Sequence, residues 1–216
     1  MAKRLDVKRL VILAMFTALS FVVVCLIRIP AVAFLKYEPK DVIITVGGFI
    51  LGPLASLIIS FVVALLEMVT ISETGIIGAV MNFLSSCCFA CIASLVYKYR
   101  RTLSGAILGL LLGSVVTVGV MILWNWLITP LYMGVSRERV VGMLVPIFLP
   151  FNAVKVGLNT ALTVCLYKPL VSALRKTRLL PTTQTQKGSP KIGIYLFAGA
   201  LLITCIMFLL VLRGIL

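Results

Sequence analysis

The sequence contains no histidine, and only 6 of its 216 residues are acidic. Histidine is the side chain that most often serves as a general base and is a common metal ligand, so its absence removes both roles. No stretch matches the nucleotide-binding pattern G-x-x-x-x-G-K-[ST], and neither paired carboxylates nor a nucleophile beside a histidine base can be found. We therefore expect that the chain is not an enzyme, does not hydrolyse ATP itself and uses no cofactor.

Cysteine is present, but its pattern does not indicate chemistry. All 6 cysteines lie within apolar stretches, where a thiol behaves as a small hydrophobic group. Cys88-x-x-Cys91 resembles half of a metal-binding or redox motif, but no second pair with this spacing accompanies it. The sequence therefore predicts no metal site.

Charged residues are also scarce, and the chain consists largely of long hydrophobic runs. Hydrophobic residues make up 62% of the chain, charged residues only 12%, and the mean hydropathy is +1.20. Several runs approach or exceed the roughly 20 residues with which a helix crosses a bilayer. They lack the short alternating segments that are typical of membrane barrels. The expected fold class is an all-α integral membrane protein.

The formal net charge of +14 could suggest binding to nucleic acid, but the basic residues stand at the ends of the apolar runs. They precede the first run, follow a later one at Lys98-Tyr-Arg-Arg101, and cluster at 175–191 before the last. Such positions are topology signals that face the cytoplasm and its anionic lipids. We therefore predict contact with membrane lipids, no nucleic-acid partner, and a multi-pass protein of the cell membrane with a cytoplasmic N-terminus.

The apolar runs that could cross the membrane lie at about 9–29, 42–70, 75–97, 103–128, 144–172 and 191–212. The second is too long for one upright crossing of a core about 30 Å thick. Because both basic stretches that flank the first three runs should be cytoplasmic, an even number of crossings must separate them. Proline interrupts helical hydrogen bonding, so a break at Gly52-Pro53 supplies the extra crossing. The short helix at 41–51 must then have its ends buried in protein or lining a cavity.

With this break, six helices form a bundle and a seventh apolar run follows a polar linker. We divide the chain into a membrane domain at 1–176, a linker at 177–190 and an additional transmembrane helix at 191–216. The linker is rich in Thr, Gln, Pro, Gly and Ser, which suggests that the last helix is an appendage to the bundle. On this topology, the stretches at 34–41, 72–75 and 129–147 lie on the outer face.

A few polar side chains interrupt the apolar runs, and such residues are functional candidates in a membrane protein. Asn125 lies between two tryptophans, and Lys155 lies several residues into a helix beside Asn152. We predict that Asn125 and Lys155 bind a ligand in a polar cavity. Asn82 is a further candidate, whereas Glu67, near the outer end of its helix, is expected to reach the surface.

Six sequence blocks follow one another along the chain: Ala14-x-x-x-Ala18, FLKYEPKDV from 34, Gly47-Gly-Phe-Ile-Leu-Gly-Pro53, Met81-Asn-Phe83, Asn125-Trp-Leu-Ile-Thr-Pro-Leu-Tyr132 and Pro150-Phe-Asn-Ala-Val-Lys155. Taken in order, they resemble the S-component of energy-coupling factor vitamin transporters, specifically the riboflavin type, over about residues 8–176. The last two blocks are the most specific. Two features depart from the pattern: Ala79 stands where the riboflavin type usually has a glutamate, and the seventh helix exceeds the usual six.

The resemblance implies a six-helix S-component bundle that captures riboflavin, or its mononucleotide, from outside for ATP-driven uptake by a separate module. Asn125 and Lys155 would contact the polar edge of the isoalloxazine ring, and Asn82 would line the same cavity. Ala14 and Ala18, one turn apart, would dock on a transmembrane coupling subunit that carries two cytoplasmic ATPase subunits.

The charged loop FLKYEPKD at 34–41 is expected to act as a lid over the ligand. Phe34 and Tyr37 would cover an aromatic ring while the charged side chains keep the other face of the loop in water. Pro39 stiffens the loop and lowers the entropy lost on closure. We include Phe34, Tyr37 and Asp41 among the binding residues, together with Asn152 beside Lys155.

Two other interpretations remain open on the sequence alone. One is an S-component for a different vitamin, and the other is a membrane-embedded enzyme or a structural subunit of a larger complex. Riboflavin is yellow and fluorescent, so flavin colour on the purified protein would separate the interpretations.

Overall fold

The computed structural model describes residues 7–32, 35–72, 74–176 and 192–212. Its helices are α1 (Val7–Leu26), α2 (Lys40–Leu51), α3 (Pro53–Thr70), α4 (Gly75–Tyr99), α5 (Leu103–Met133), α6 (Arg137–Met143), α7 (Leu149–Lys176) and α8 (Ile192–Leu212). A π-helical turn, Leu144–Phe148, joins α6 to α7. Strands β1 (Ile29–Val32) and β2 (Leu35–Tyr37) pair antiparallel. The all-α class is confirmed, with one short hairpin that we did not predict.

Within the described residues, 5 helices are long and apolar enough to cross a membrane. They are Val7–Leu26, Pro53–Thr70, Gly75–Tyr99, Leu103–Met133 and Arg137–Tyr167. Many large apolar side chains on these helices point outward. Such a surface is unfavourable in water but suits contact with lipid tails. Together with a shorter apolar stretch in α8, Tyr195–Phe208, this confirms a multi-pass membrane protein.

The long second apolar run is broken where the sequence predicted. Helix α2 ends at Leu51, Gly52 has a φ of +102°, and Pro53 begins α3. A positive φ suits glycine because it lacks a Cβ, and proline suits a first helical position because its missing N–H has no partner there. The break therefore turns one over-long run into two helices.

Helix α2 is short and lies in the centre of the bundle, with residues 40–49 all buried. A Cβ on Gly48 would come within 1.8 Å of Ser56 Oγ and 2.1 Å of Ser94 Oγ, so glycine is required for α3 and α4 to approach this closely. Ser56 and Ser94 hydrogen-bond each other at 3.0 Å beside it. This confirms that a helix too short to span the membrane is surrounded by protein.

The predicted outer stretch at 129–147 is more helical than expected. Helix α5 continues past Pro130 to Met133 and ends at Gly134, whose φ is +64°. Proline removes only one hydrogen bond in this last part of the helix, so it does not end α5, whereas the left-handed glycine does. Arg137 then begins α6, so most of this stretch is helical, and its place on the outer face stays a prediction.

Helix α8 packs against α7 and also contacts β1. Its Ala198 and Cys205 are buried, and Leu201 and Leu202 pack on the same side. The linker at 177–190 lies outside the described residues, and the three-part division of the chain stays a prediction. Where α8 is described, it is in close contact with the bundle.

The orientation across the membrane can be tested by cysteine labelling. If Gly52-Pro53 is a cytoplasmic turn, a membrane-impermeant thiol reagent should label Gly52→Cys only from inside. Glu73→Cys, which lies outside the described residues, should react only from outside. The unsubstituted chain is the control because its Cys25 is exposed. Labelling of both new cysteines from the same side would contradict the predicted topology.

Candidate ligand-binding site

A cavity of about 90 Å³ lies between the hairpin, α4, α5 and the start of α7. The residues that line it are Arg28, Leu35, Lys36, Glu38, Thr74, Met81, Asn82, Ser85, Met121, Asn125, Tyr132, Phe151, Asn152 and Lys155. Charged and amide groups share this wall with apolar and aromatic side chains. Such a mixture suits a ligand with a flat apolar body and a polar edge.

The structure places four of the predicted residues together at this cavity: Asn82, Asn125, Asn152 and Lys155. Tyr37 and Asp41 are not part of its lining but hydrogen-bond other side chains behind it. Phe34 lies outside the described residues. The two alanines of the predicted docking motif are exposed on α1, away from this lining.

Lys155 is the cation of α7 that faces the cavity. It is 9% exposed, its Nζ donates to Ser85 Oγ at 3.2 Å, and it lies 3.8 Å from Asp41 Oδ2. Asp41 is itself held by Ser86 Oγ at 2.5 Å and by Asn159 Nδ2 at 3.1 Å. A buried ammonium needs a nearby anion and hydrogen bonds, and this arrangement supplies both. The lysine is thereby held at the cavity wall.

The amides on α5 and α7 are fixed by hydrogen bonds within their own helices. Asn125 Nδ2 donates to the carbonyl of Met121 at 2.7 Å, and Thr129 Oγ1 donates to Asn125 Oδ1 at 3.0 Å. Asn152 Nδ2 donates to the carbonyl of Phe148 at 2.7 Å, at the end of the π-helical turn. Such turns are common at functional sites. The amides therefore stand at the cavity with restricted orientations.

A buried network of ion pairs joins the loop before α2 to α3. Lys40 Nζ lies 2.6 Å from both carboxylate oxygens of Glu67 and 2.9 Å from Glu38 Oε2. Arg28 Nε donates to Glu38 Oε1 at 2.8 Å, and Asn82 Nδ2 donates to Glu67 Oε2 at 2.8 Å. The cavity-lining Asn82 is thus linked to the loop through Glu67.

This network corrects two expectations. Glu67 does not reach the surface; it is 3% exposed, because Lys40 and Asn82 satisfy its carboxylate inside the protein. Three of the four charged residues of the loop do not face water either, since Glu38, Lys40 and Asp41 are buried, whereas Lys36 is half-buried. The charge density of this loop therefore reflects internal pairing, which attaches the loop to the bundle.

Six side chains of the site pair as three cations and three anions, and Lys36 is a further cation of the cavity lining. Arg28, Lys40 and Lys155 carry three positive charges, and Glu38, Asp41 and Glu67 carry three negative ones. Burial alone would raise the pKa of Glu38, but the Lys40 ammonium and hydrogen bonds from Lys40 and Arg28 lower it to about 2. Glu38 therefore stays ionised, and its pairing is retained, at every pH above its ordinary pKa of 4.5.

Tyr37 connects the hairpin to α7. Its hydroxyl donates to Asn159 Oδ1 at 3.1 Å, and Asn159 in turn donates to Asp41. Burial, together with the charge of Asp41, raises the pKa of Tyr37, so the hydroxyl keeps its proton. We predicted that Tyr37 would bind the ligand; the structure places it outside the cavity lining, connected to Lys155 through Asn159 and Asp41.

Sequence reasoning missed several residues of the site, including Arg28, Glu38, Lys40, Ser85 and Asn159. The charge cluster was visible in the sequence, but its partners come from the segment after α1 and from α3 and α4. Asn159 has a signal that could have found it, because it is a polar residue inside an apolar run. Within the described part of the chain, no three His, Cys, Asp or Glu side chains cluster in a way that could hold a metal ion.

The helical membrane bundle and its mixed polar and apolar cavity define a small-molecule-binding membrane protein. The family model described as "ECF transporter, substrate-specific component" matches residues 8–167. The chain therefore belongs to the family of substrate-specific components of energy-coupling factor (ECF) transporters. The resemblance noted in the sequence is confirmed.

Individual relatives and one solved structure agree with this family. The chain is 28% identical to "Riboflavin transporter RibU" of Staphylococcus aureus (strain TCH60), over 78% of this chain and 93% of that protein. It is 28% identical to "Riboflavin transporter FmnP" of Bacillus subtilis (strain 168), over 70% and 85% respectively. A structure titled "Structure and mechanism of the S component of a bacterial ECF transporter" superposes with a TM-score of 0.67 and 27% identity, covering 79% of this chain and 99% of that one.

Proposed function

We propose that this protein captures riboflavin at the outer side of the cell membrane and delivers it to a separate ATP-driven module. The observation that carries the proposal is the cavity lining, which Lys155, Asn125 and Asn152 share with apolar side chains. Both relatives named above are described as riboflavin transporters. The protein would act as a binding subunit, without an ATPase or other enzymatic site of its own.

The chemistry of riboflavin matches this wall. Its ring system is flat and largely apolar, and one edge carries carbonyl oxygens and ring nitrogens. Lys155 can donate to a carbonyl, and an asparagine amide can donate and accept, so Asn125 and Asn82 suit the mixed edge. Met81 and Phe151 can cover the faces of the ring. Each polar group on the ligand edge would then find a partner of the right kind.

The lining also favours one alternative ligand, riboflavin mononucleotide. Besides Lys155, the cations Arg28 and Lys36 line the cavity, with Glu38 as the anion among them. A phosphate group carries negative charge and binds well to such cations. A competition experiment, in which each flavin displaces the other from the protein, compares their affinities directly. We expect that a vitamin unrelated to flavin displaces neither of them.

The same proposal includes the partner and the orientation of the chain. Ala14 and Ala18 are exposed on α1, where small side chains permit a close approach by another helix. We propose that they dock on a transmembrane coupling subunit that carries two cytoplasmic ATPase subunits. The N-terminus would be cytoplasmic, because basic residues cluster there.

The test is equilibrium binding of riboflavin to the purified protein, followed by quenching of flavin fluorescence. We expect tight binding by the unsubstituted chain and a roughly 10- to 100-fold loss of affinity in Lys155→Ala. A hydrogen bond to a charged group contributes about 1.5–3 kcal/mol, which corresponds to this range. Lys98→Ala, at an exposed lysine of α4, is the matched control and should bind normally.

Other results would contradict the proposal in distinct ways. If the unsubstituted chain binds no flavin but binds another vitamin, the family assignment stands and the ligand is wrong. If mass spectrometry shows that the protein converts riboflavin to a new product, it is an enzyme. Equal affinities of Lys155→Ala and Lys98→Ala would remove Lys155 from the binding site.

A further inference from the structure

Helix α8 lies outside the residues that the family model matches, 8–167, yet it packs on the part of the molecule that forms the site. One close contact between α7 and α8 lies at Gly157 of α7. A Cβ added there would lie 2.8 Å from Cys205 Sγ, and apart from its chain neighbours and the nearby backbone of α7 no other described atom would lie within 4 Å of it. The contact between α7 and α8 at this point therefore depends on a glycine facing a cysteine.

Cys205 also connects α8 to the hairpin. It is buried in one packed cluster with Tyr37, Val154 and Leu158, against which Ile29 of β1 and two leucines of α8 pack. Helix α8 thus contacts α7 and the hairpin at the same time. Displacing α8 would remove packing from one side of Tyr37.

Tyr37 leads from this cluster to the cavity through a short chain of polar contacts. Its hydroxyl donates to Asn159, Asn159 donates to Asp41, and Asp41 lies 3.8 Å from the ammonium of Lys155. Each of these four side chains is buried, so the chain of contacts has few alternative arrangements. The position of Tyr37 therefore bears on the position of the cavity-lining lysine.

We propose that α8 is a positioning element for the binding site, which packs on Tyr37 and holds strand β2 against α7. This inference rests on the proposed function for its ligand, and it adds to it a role for the helix beyond the family-matched residues. With α8 in place, the hairpin stays closed at the edge of the cavity and bound flavin is retained longer. Helix α8 then controls the rate of release.

The geometry at Gly157 provides a sharp test. In Gly157→Ala, the new methyl group would collide with Cys205 Sγ and push α8 away, because overpacking a close contact forces neighbours to shift. We expect riboflavin to dissociate about 5- to 10-fold faster, measured by fluorescence recovery after dilution. In the ligand-free protein, hydrogen exchange of the peptide covering 35–41 should also become faster.

A second substitution tests whether the faster release in Gly157→Ala is caused by the displacement of α8. Cys205→Ala removes the sulfur that the new methyl would meet, so Gly157→Ala/Cys205→Ala should return release and hydrogen exchange to within about twofold of the unsubstituted chain. In a Tyr37→Phe background, which lacks the hydrogen bond to Asn159, Gly157→Ala should add less than about a twofold effect. Gly119→Ala is the matched control, because a Cβ there meets no described atom within 4 Å.

Each outcome decides the inference. Unchanged release in Gly157→Ala, or a defect that Cys205→Ala does not rescue, would overturn it, since the effect would then be absent or would arise within α7. A full effect in the Tyr37→Phe background would overturn the route through Tyr37. If the unsubstituted chain binds no riboflavin, the proposed function fails, but hydrogen exchange at 35–41 and its rescue still test the role of α8.

Discussion

Replacing Lys40 with methionine is expected to destabilise the protein by about 3–5 kcal/mol, because removing one partner of a buried ion pair leaves the other charge uncompensated. Lys40 is 2% exposed and contacts both Glu38 and Glu67. Glu38 retains Arg28, but Glu67 would keep only the amide of Asn82. The measurement is the free energy of unfolding in a denaturant titration of the protein in detergent micelles.

A second variant separates the ion pair from the loss of packing. Lys40→Met/Glu67→Gln removes the uncompensated charge as well, so it should be more stable than Lys40→Met alone even though it carries one more substitution. Lys98→Met removes an exposed lysine and should change stability by less than about 0.5 kcal/mol. If Lys40→Met behaves like Lys98→Met, Lys40 is not buried in an ion pair, and the loop before α2 is not attached in this way.

Some features of the fold could be predicted because they depend on local chemistry. The break at Gly52-Pro53 needs only the backbone properties of glycine and proline and the length of the apolar run. Asn125 and Lys155 could be assigned to a cavity because a polar group in an apolar run must find a polar environment. Both conclusions require no knowledge of which helices are neighbours.

Other features could not be predicted because they depend on which helices meet. Glu67 and Lys40 are 27 positions apart, and nothing local shows that α3 brings the carboxylate to the start of α2. A charged loop between apolar runs is predicted to be solvated when the side chains that pair with its charges are unknown. For the same reason, the hydrogen bond of Tyr37 could not be predicted, because its partner Asn159 lies 122 positions away in the sequence. The lining was therefore predicted better than the network that supports it.

The buried network also changes the interpretation of the loop at 34–41. A lid that exchanged its charges with water at every cycle would have to break the pairs that Lys40 makes with Glu38 and Glu67. Breaking buried pairs is costly, so movement is easier for the hairpin, which lies before Glu38, than for the start of α2. Strands β1 and β2 are therefore the part of this region best suited to open and close.

A bulky residue at Ala14 or Ala18 is expected to abolish uptake while leaving riboflavin binding intact. Both alanines are exposed on α1, one turn apart, so a larger side chain there would project away from the buried residues of the bundle. Against a close-packed partner helix the same side chain would collide. We expect Ala18→Trp to lower ATP-dependent uptake and recovery of the assembled transporter by at least about tenfold, the effect of roughly 1.4 kcal/mol lost from association.

The control must add the same bulk to another exposed helix surface. Ala200→Trp does so on α8, where Ala200 is exposed, and should leave assembly and uptake close to those of the unsubstituted chain. Riboflavin affinity, measured on the isolated protein, should be the same for all three chains because neither alanine lines the cavity. Lost binding with normal assembly in Ala18→Trp would show that the alanine packs inside the bundle. Equal losses of assembly in both tryptophan variants would show that bulk anywhere on the lipid-facing surface disturbs the complex, and the docking role of α1 would be wrong.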